Sequence, residues 1–336
     1  MKRVALGLCV PALVLALVPA ACGGDDDTSA PADSDAQSAT LVLNWTPNAH
    51  HLGVYAAEEM GWYDDAGIDL TIVEPTQGGV EQAIGSGAAE FGISAAEFVL
   101  PARAEGIPVV SIATILPVND SALMALGDSG IAEPADLAGT TYGGYGGALE
   151  TELINRLAEC GGVDPGEISH VEVGNVDYLA GLDADRFDFA WVFSGWDALR
   201  ATEVEERDIS LVKFEDYTDC IPNWYTPLFI AGEDLIADDP DLVRTFLDVT
   251  ARGYRLVIAD PQQAADLMLE AVPETDETLM RAAADYHATR YTAAGMPWGT
   301  QDTETWTEFE QFLVDAGILE APVGVDDTFT NDFLAQ

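Results

Sequence analysis

Residues 41 to 55 read Leu41-Val-Leu-Asn-Trp-Thr-Pro-Asn-Ala-His-His-Leu-Gly-Val-Tyr55, and this stretch decides the fold. An apolar strand runs into a polar, aromatic turn, and helical spacing resumes at Leu52. Open α/β sheets are built from such strand-to-helix units and hold their ligands at the carboxyl ends of the strands. Asn44, Trp45, Asn48, His51 and Tyr55 are thereby gathered around one such loop. Aromatic faces beside polar edges suit a flat ring with polar edges.

Upstream, Met1-Lys-Arg is a short basic start, Val4 to Val18 is almost wholly apolar, and Pro19-Ala-Ala-Cys22 closes the run with small residues. Residues 1 to 21 read as a secretory leader, too short for a spanning helix of about 20 apolar residues. The ending resembles a bacterial lipobox, although Pro19 stands where that pattern usually has an aliphatic residue. The resemblance implies a diacylated Cys22 and anchorage to the outer face of the cell membrane. Residues 22 to 38 are rich in Asp, Ser, Ala and Gly and read as a flexible acidic tether.

The chain carries 59 acidic and 13 basic residues, a net charge of −46. Loss of Lys2 and Arg3 with the leader leaves Lys213 as the only lysine. Such a surface repels nucleic acid and anionic headgroups. Adaptation to high salt and compositional bias both account for it. The carboxylates show no calcium-loop spacing, and adjacent His50 and His51 cannot share a helical face as a zinc pair would; no metal site is expected. Beyond Cys9 and Cys22 only Cys160 and Cys220 are left. In an exported chain they either bridge or stay separately buried.

Strands and helices alternate from Leu41 to Phe214, with a returning strand at Leu228 to Ala231 and amphipathic helices from Pro240 onward. Short β-branched runs between helical patterns indicate two α/β units with largely parallel, buried sheets and a cleft between two lobes.

The order is similar to that of type II periplasmic-binding proteins, and the motifs resemble the ABC-importer binding proteins for thiamine pyrimidine precursors. The resemblance rests on Leu43-Asn-Trp-Thr-Pro-Asn48 with His51 and Tyr55, Gly61-Trp-Tyr before Gly67-Ile-Asp-Leu, the loop Thr141 to Glu150, Phe193-Ser-Gly-Trp-Asp197, Trp224-Tyr-Thr-Pro227 and Phe329-Thr-Asn-Asp-Phe333. It implies crossings near Ala125 to Gly127 and Phe229 to Ala231. Lobe one is then residues 39–126 plus 232–336, and lobe two is 127–231.

The candidate ligand loops, 44–51, 74–80, 94–97, 142–150, 193–197 and 221–227, contain no Arg or Lys. Burying a sulfonate, nitrate or phosphate usually recruits one. Instead these loops offer Trp45, Tyr145, Phe193, Trp196 and Tyr225 as faces, with Glu74, Glu97, Glu150, Asp197 and Ser94 as polar partners. The glycines of 143–147 lack the Lys and Ser or Thr of a phosphate loop and read as a tight turn. Glu150 is read equally as a helix cap or a ligand contact. His51 is read as facing the ligand, with a structural role as the alternative.

The resemblance implies a monomeric, cofactor-free solute-binding protein. It would close over hydroxymethylpyrimidine or its formylaminomethyl relative and deliver it to an ABC permease and its ATPase. Ala95 and Ala96, where the family tends to have aromatic-Gln, imply a wider pocket and make riboflavin the first alternative ligand; an organic cation is a further one. The self-consuming fungal synthases of the same fold use a cofactor lysine, a histidine four residues later and a cysteine cluster. Ser94 and Phe98 stand at the first two places, so no enzyme is expected; an exported enzyme or surface sensor is the competing class.

Overall fold

The structure, a computed structural model, describes residues 36 to 335 apart from Asn175 and Ala294. The leader, Cys22 and most of the tether lie outside them. Among the described residues ten strands form two five-stranded sheets. The first takes β1 (Gln37–Val42), β2 (Ile68–Val73), β3 (Phe91–Ser94), β4 (Val109–Thr114) and β10 (Leu228–Gly232), in the order β2-β1-β3-β10-β4. The second takes β5 (Ser121–Leu126), β6 (Thr141–Gly144), β7 (Ser169–Glu172), β8 (Phe189–Phe193) and β9 (Ile209–Lys213), in the order β7-β6-β8-β5-β9.

The orders match. Each sheet is parallel except for one strand, β10 or β5, which enters antiparallel directly after the chain crosses from the other sheet. The crossings are residues 115–120 and 214–227. Asn223 ties them together, its Oδ1 accepting from the Asn119 amide at 2.9 Å and its Nδ2 donating to the Pro117 carbonyl at 3.0 Å. Ser121–Leu126 therefore belongs to the second sheet and Leu228–Gly232 to the first, whereas the resemblance places the crossings at 125–127 and 229–231. β5, Ser-Ala-Leu-Met-Ala-Leu, has no β-branched residue, and only its pairing with β8 and β9 makes it a strand. β1 begins at Gln37, inside the stretch read as tether, because it pairs residue for residue with β2 from Gln37 opposite Ile68.

The helices Leu52–Glu59 and Pro240–Ala259 cover one face of the first sheet. Phe91 and Phe246 stack there with ring centroids 3.8 Å apart. A second apolar cluster runs through both lobes, joining Leu123 and Ala125 of β5 to Leu228 and Ile230 of β10, with Trp224 stacked on Phe309 at 5.0 Å. Cys160 ends the helix Ala148–Cys160 and is disulfide-bonded to Cys220 in the second crossing, with Cα atoms 6.1 Å apart.

The few cations are mostly spent on surface carboxylates, as in Arg281 with Asp266 and Glu277, or Arg244 with Asp241. Exposed pairs of this kind contribute little, so the uncompensated negative surface dominates. The melting temperature is expected to rise as NaCl goes from about 0.1 to 1 M, where the screening length falls from about 10 to 3 Å. A flat response would assign the acidity to compositional bias.

Candidate ligand cleft

The loop after β1 is fixed by its own side chains. Asn48 caps the turn Ala49–His51, its Oδ1 accepting from the His50 amide at 3.0 Å. His51 is fully buried; its Nδ1 accepts from the Asn48 amide at 3.2 Å and its Nε2 faces Asn44 Oδ1 at 2.9 Å. Burial, then the neighbouring His50, lowers the His51 pKa to about 3, so the neutral ring donates to Asn44. Asn44, Asn48 and His51 thus brace the loop, and both His51 nitrogens are engaged within it. Trp45 stands exposed on its outside.

The glycine-rich loop carries its own anion. The Glu150 carboxylate, nearly buried, accepts from the Tyr142 hydroxyl at 2.9 Å and from the amides of Tyr145 and Gly147 at 3.0 and 2.8 Å. The Tyr145 and Gly147 amides, of the kind that cradles a phosphate, are occupied by Glu150, which favours the turn and helix-cap reading. Tyr145 is held at the rim with half its surface exposed.

Beyond β8 the chain makes two wider, π-type turns, Ser194–Ala198 and Arg200–Val204, where sequence spacing predicts a regular helix over 197–205. Asp197 Oδ2 accepts from the Phe193 amide at 3.1 Å, and burial raises its carboxyl pKa. Trp196 lines a cavity of about 370 Å³ between the loops of the first sheet and these turns. Thr46, Pro47 and Glu74 supply one wall. The C-terminal helices supply another through Val272, Glu274 and Asp276, which have no strand-to-helix loop to reveal them in the sequence. Tyr55 lies close by: burial and then the charges of Glu74 and Glu274 push its hydroxyl up to about 12.

Arg200 also lines this cavity, which the charge pattern of the loops misses because it lies three residues beyond the loop 193–197. Its guanidinium is bound to Asp177 at 2.8 Å and Glu205 at 3.0 Å. The cation is thereby neutralised twice over, while Glu74, Glu274 and Asp276 add negative charge.

The remaining candidates lie elsewhere. Tyr225 is buried, with its hydroxyl accepting from the Asp302 amide at 2.7 Å and its carbonyl accepting from the Ala96 amide at 2.9 Å. Ala95 and Ala96 are themselves buried and line no part of the cavity, so they do not widen it. Ser94 donates to Glu81. Glu97 is half-buried, with its Oε2 out of solvent and without a hydrogen-bond partner, and burial lifts the carboxyl to about 7.

One group escaped the sequence entirely. His50, Asp120 and His287 converge from three distant segments, with ligand-type atoms all within 4.8 Å of one another. His50 and His51 do part, as their adjacency predicts, but His50 finds a partner 237 positions away.

A family model described as NMT1/THI5 like matches residues 48–264, more than half of the chain. The chain belongs to the NMT1/THI5 like family. Relatives of this NMT1/THI5 like chain include the formylaminopyrimidine-binding protein of Halalkalibacterium halodurans, 26% identical over 313 residues covering 90% of this chain and 93% of the relative. The riboflavin-binding protein RibY of Chloroflexus aurantiacus is 28% identical over 326 residues, covering 91% and 90%. The 4-amino-5-hydroxymethyl-2-methylpyrimidine phosphate synthase of Legionella pneumophila is 29% identical over 239 residues, covering 70% and 74%. The two-lobed fold is shared with the periplasmic aliphatic sulphonate binding protein SsuA of Escherichia coli, at TM-score 0.66 and 13% identity over 87% of this chain and 91% of that one. It is shared too with the ligand-binding component of an ABC-type import system from Staphylococcus aureus, at TM-score 0.68 and 14% identity over 88% and 97%. Proteins similar to this NMT1/THI5 like chain thus bear names of binding and of synthesis.

Proposed function

We propose that this protein is the extracytoplasmic solute-binding component of an ABC importer, closing its lobes over a thiamine-type pyrimidine such as hydroxymethylpyrimidine or its formylaminomethyl relative. The observation that carries the reading is the wall of the 370 Å³ cavity, where Trp196 stands with Glu74, Glu274 and Asp276 and the sole lining cation is already paired. An aromatic face stacks on a planar ring, and carboxylates accept from an exocyclic amine. A sulfonate would meet net negative charge there. The relatives named for pyrimidine and riboflavin binding support a planar heterocycle, and the near-complete match to the riboflavin-binding relative keeps a flavin as the second reading.

On this reading the chain does not catalyse pyrimidine synthesis. Where the self-consuming synthases place a lysine and a histidine, it has Ser94, engaged with Glu81, and an exposed Phe98; Cys220 is tied to Cys160. The monomeric chain would dock on a permease and its ATPase from a lipid anchor at Cys22. Cys22→Ala is expected to move the protein from the membrane fraction to the medium, and unchanged membrane retention would refute the anchor.

Trp196→Ala is expected to weaken hydroxymethylpyrimidine binding by about 1 to 3 kcal/mol, the range of aromatic stacking on a base. Wild-type affinity in this variant would move the ligand away from this cavity.

A further inference from the structure

We propose that His50, Asp120 and His287 form a binding site for a divalent transition-metal ion of the zinc class, set at the junction of the two lobes. The donor chemistry is two imidazoles and one carboxylate, a set that suits zinc and its neighbours. His50 Nε2, Asp120 Oδ1 and both ring nitrogens of His287 are buried without a hydrogen-bond partner. His287 is fully buried, Asp120 is 2% exposed and His50 6%. Buried polar atoms are nearly always paired; three residues that each turn an unpartnered atom to one place call for a shared partner.

The surroundings narrow what that partner is. The rings of Phe193 and His287 lie 5.6 and 4.8 Å from His50, Tyr291 lies 5.6 Å from His287, and a Cβ on Gly195 would come within 2.4 Å of the His287 ring. None of the three donors lines the ligand cavity. The cluster is thus walled by aromatic rings and by the backbone at Gly195.

The donors are also pre-oriented, as metal ligands usually are. Asp120 Oδ2 accepts from the Gly195 amide at 3.0 Å, which turns Oδ1 toward the histidines. The His50 carbonyl accepts from the Tyr254 hydroxyl at 2.7 Å, which anchors the turn that bears the ring. His50 Nε2 and Asp120 Oδ1 are 3.8 Å apart, slightly wider than the edge of a tetrahedral zinc site, about 3.3 Å for ligand bonds near 2.0 Å. All the donor pairs lie within 4.8 Å, so binding an ion draws the three side chains together.

Both histidines belong to segments of the first lobe, His50 to the turn after β1 and His287 to the helix Glu277–Ala288 packed on Pro240–Ala259, whereas Asp120 ends the first crossing and Gly195 follows β8 of the second sheet. An ion held by all three therefore fastens the lobes together. This inference does not depend on the identity of the organic ligand.

The test uses the folded chain stripped with EDTA and retitrated with Co²⁺ and Zn²⁺ in about 1 M NaCl, which screens the surface carboxylates. One equivalent of Co²⁺ is expected to bind with visible d–d absorption and to be displaced by Zn²⁺. His287→Gln and Asp120→Asn, checked for native circular dichroism, are each expected to weaken uptake at least about 100-fold, the upper end of the loss seen even for outer-shell partners. Absence of stoichiometric uptake by the wild-type chain overturns the site, even if a variant fails to fold. So does undiminished uptake by a folded variant.

Discussion

Gly253→Ala is expected to destabilise the protein by about 3 kcal/mol or more, the upper range for overpacking a close-packed core. The helices Leu52–Glu59 and Pro240–Ala259 cross where Gly253 meets Gly53, and a Cβ on Gly253 would stand 1.8 Å from the Gly53 carbonyl oxygen and 3.1 Å from Ala57 Cβ. The obstacle is backbone, so no rotamer relieves it. The two helices would have to part, and the helix Pro240–Ala259 also bears Phe246, stacked on Phe91, and Tyr254, bonded to the His50 carbonyl. Urea unfolding reads the loss directly. A change under about 1 kcal/mol would mean that the helices do not cross at these glycines.

The second large effect is expected from the disulfide. Cys160 and Cys220 are 60 residues apart, and a cross-link over such a loop typically contributes about 2 to 4 kcal/mol by restricting the unfolded chain. The double substitution Cys160→Ala and Cys220→Ala should lose that amount. Because Cys160 lies at the surface, reductant should bring the wild type to the same midpoint and leave the double variant unmoved. Equal stability of wild type with and without reductant would show that the thiols are not bridged.

Much of the architecture was legible because its signals are local. The turn at 44–51 announces itself by composition, and the helices Pro240–Ala259 and Thr303–Asp315 follow from apolar spacing. β5 was not legible, since alanine, leucine and methionine favour helix and the strand exists only by pairing on both sides. The crossings end at its start and at the start of β10, a few residues before the places the resemblance implies.

The site divides in the same way. Residue types suited to a ring were found at Trp196 and Glu74, while His51, Glu150 and Tyr225 spend their polar atoms inside the protein. Nothing in a sequence distinguishes a carboxylate that caps its own loop from one that waits for a ligand. Arg200, Glu274 and Asp276 reach the cavity from turns and helix ends remote from the strand loops. The meeting of His50, Asp120 and His287 depends on tertiary packing across the lobe junction and has no local signature.

The most direct measurement is calorimetric titration of residues 36 to 336 with hydroxymethylpyrimidine, formylaminopyrimidine, thiamine, riboflavin, taurine and spermidine, at low and high salt. The account predicts tight, saturable binding of a pyrimidine and none of taurine, whose sulfonate would find carboxylates and an already paired Arg200 as the charged groups lining the cavity. Binding of taurine with no response to any heterocycle would contradict it.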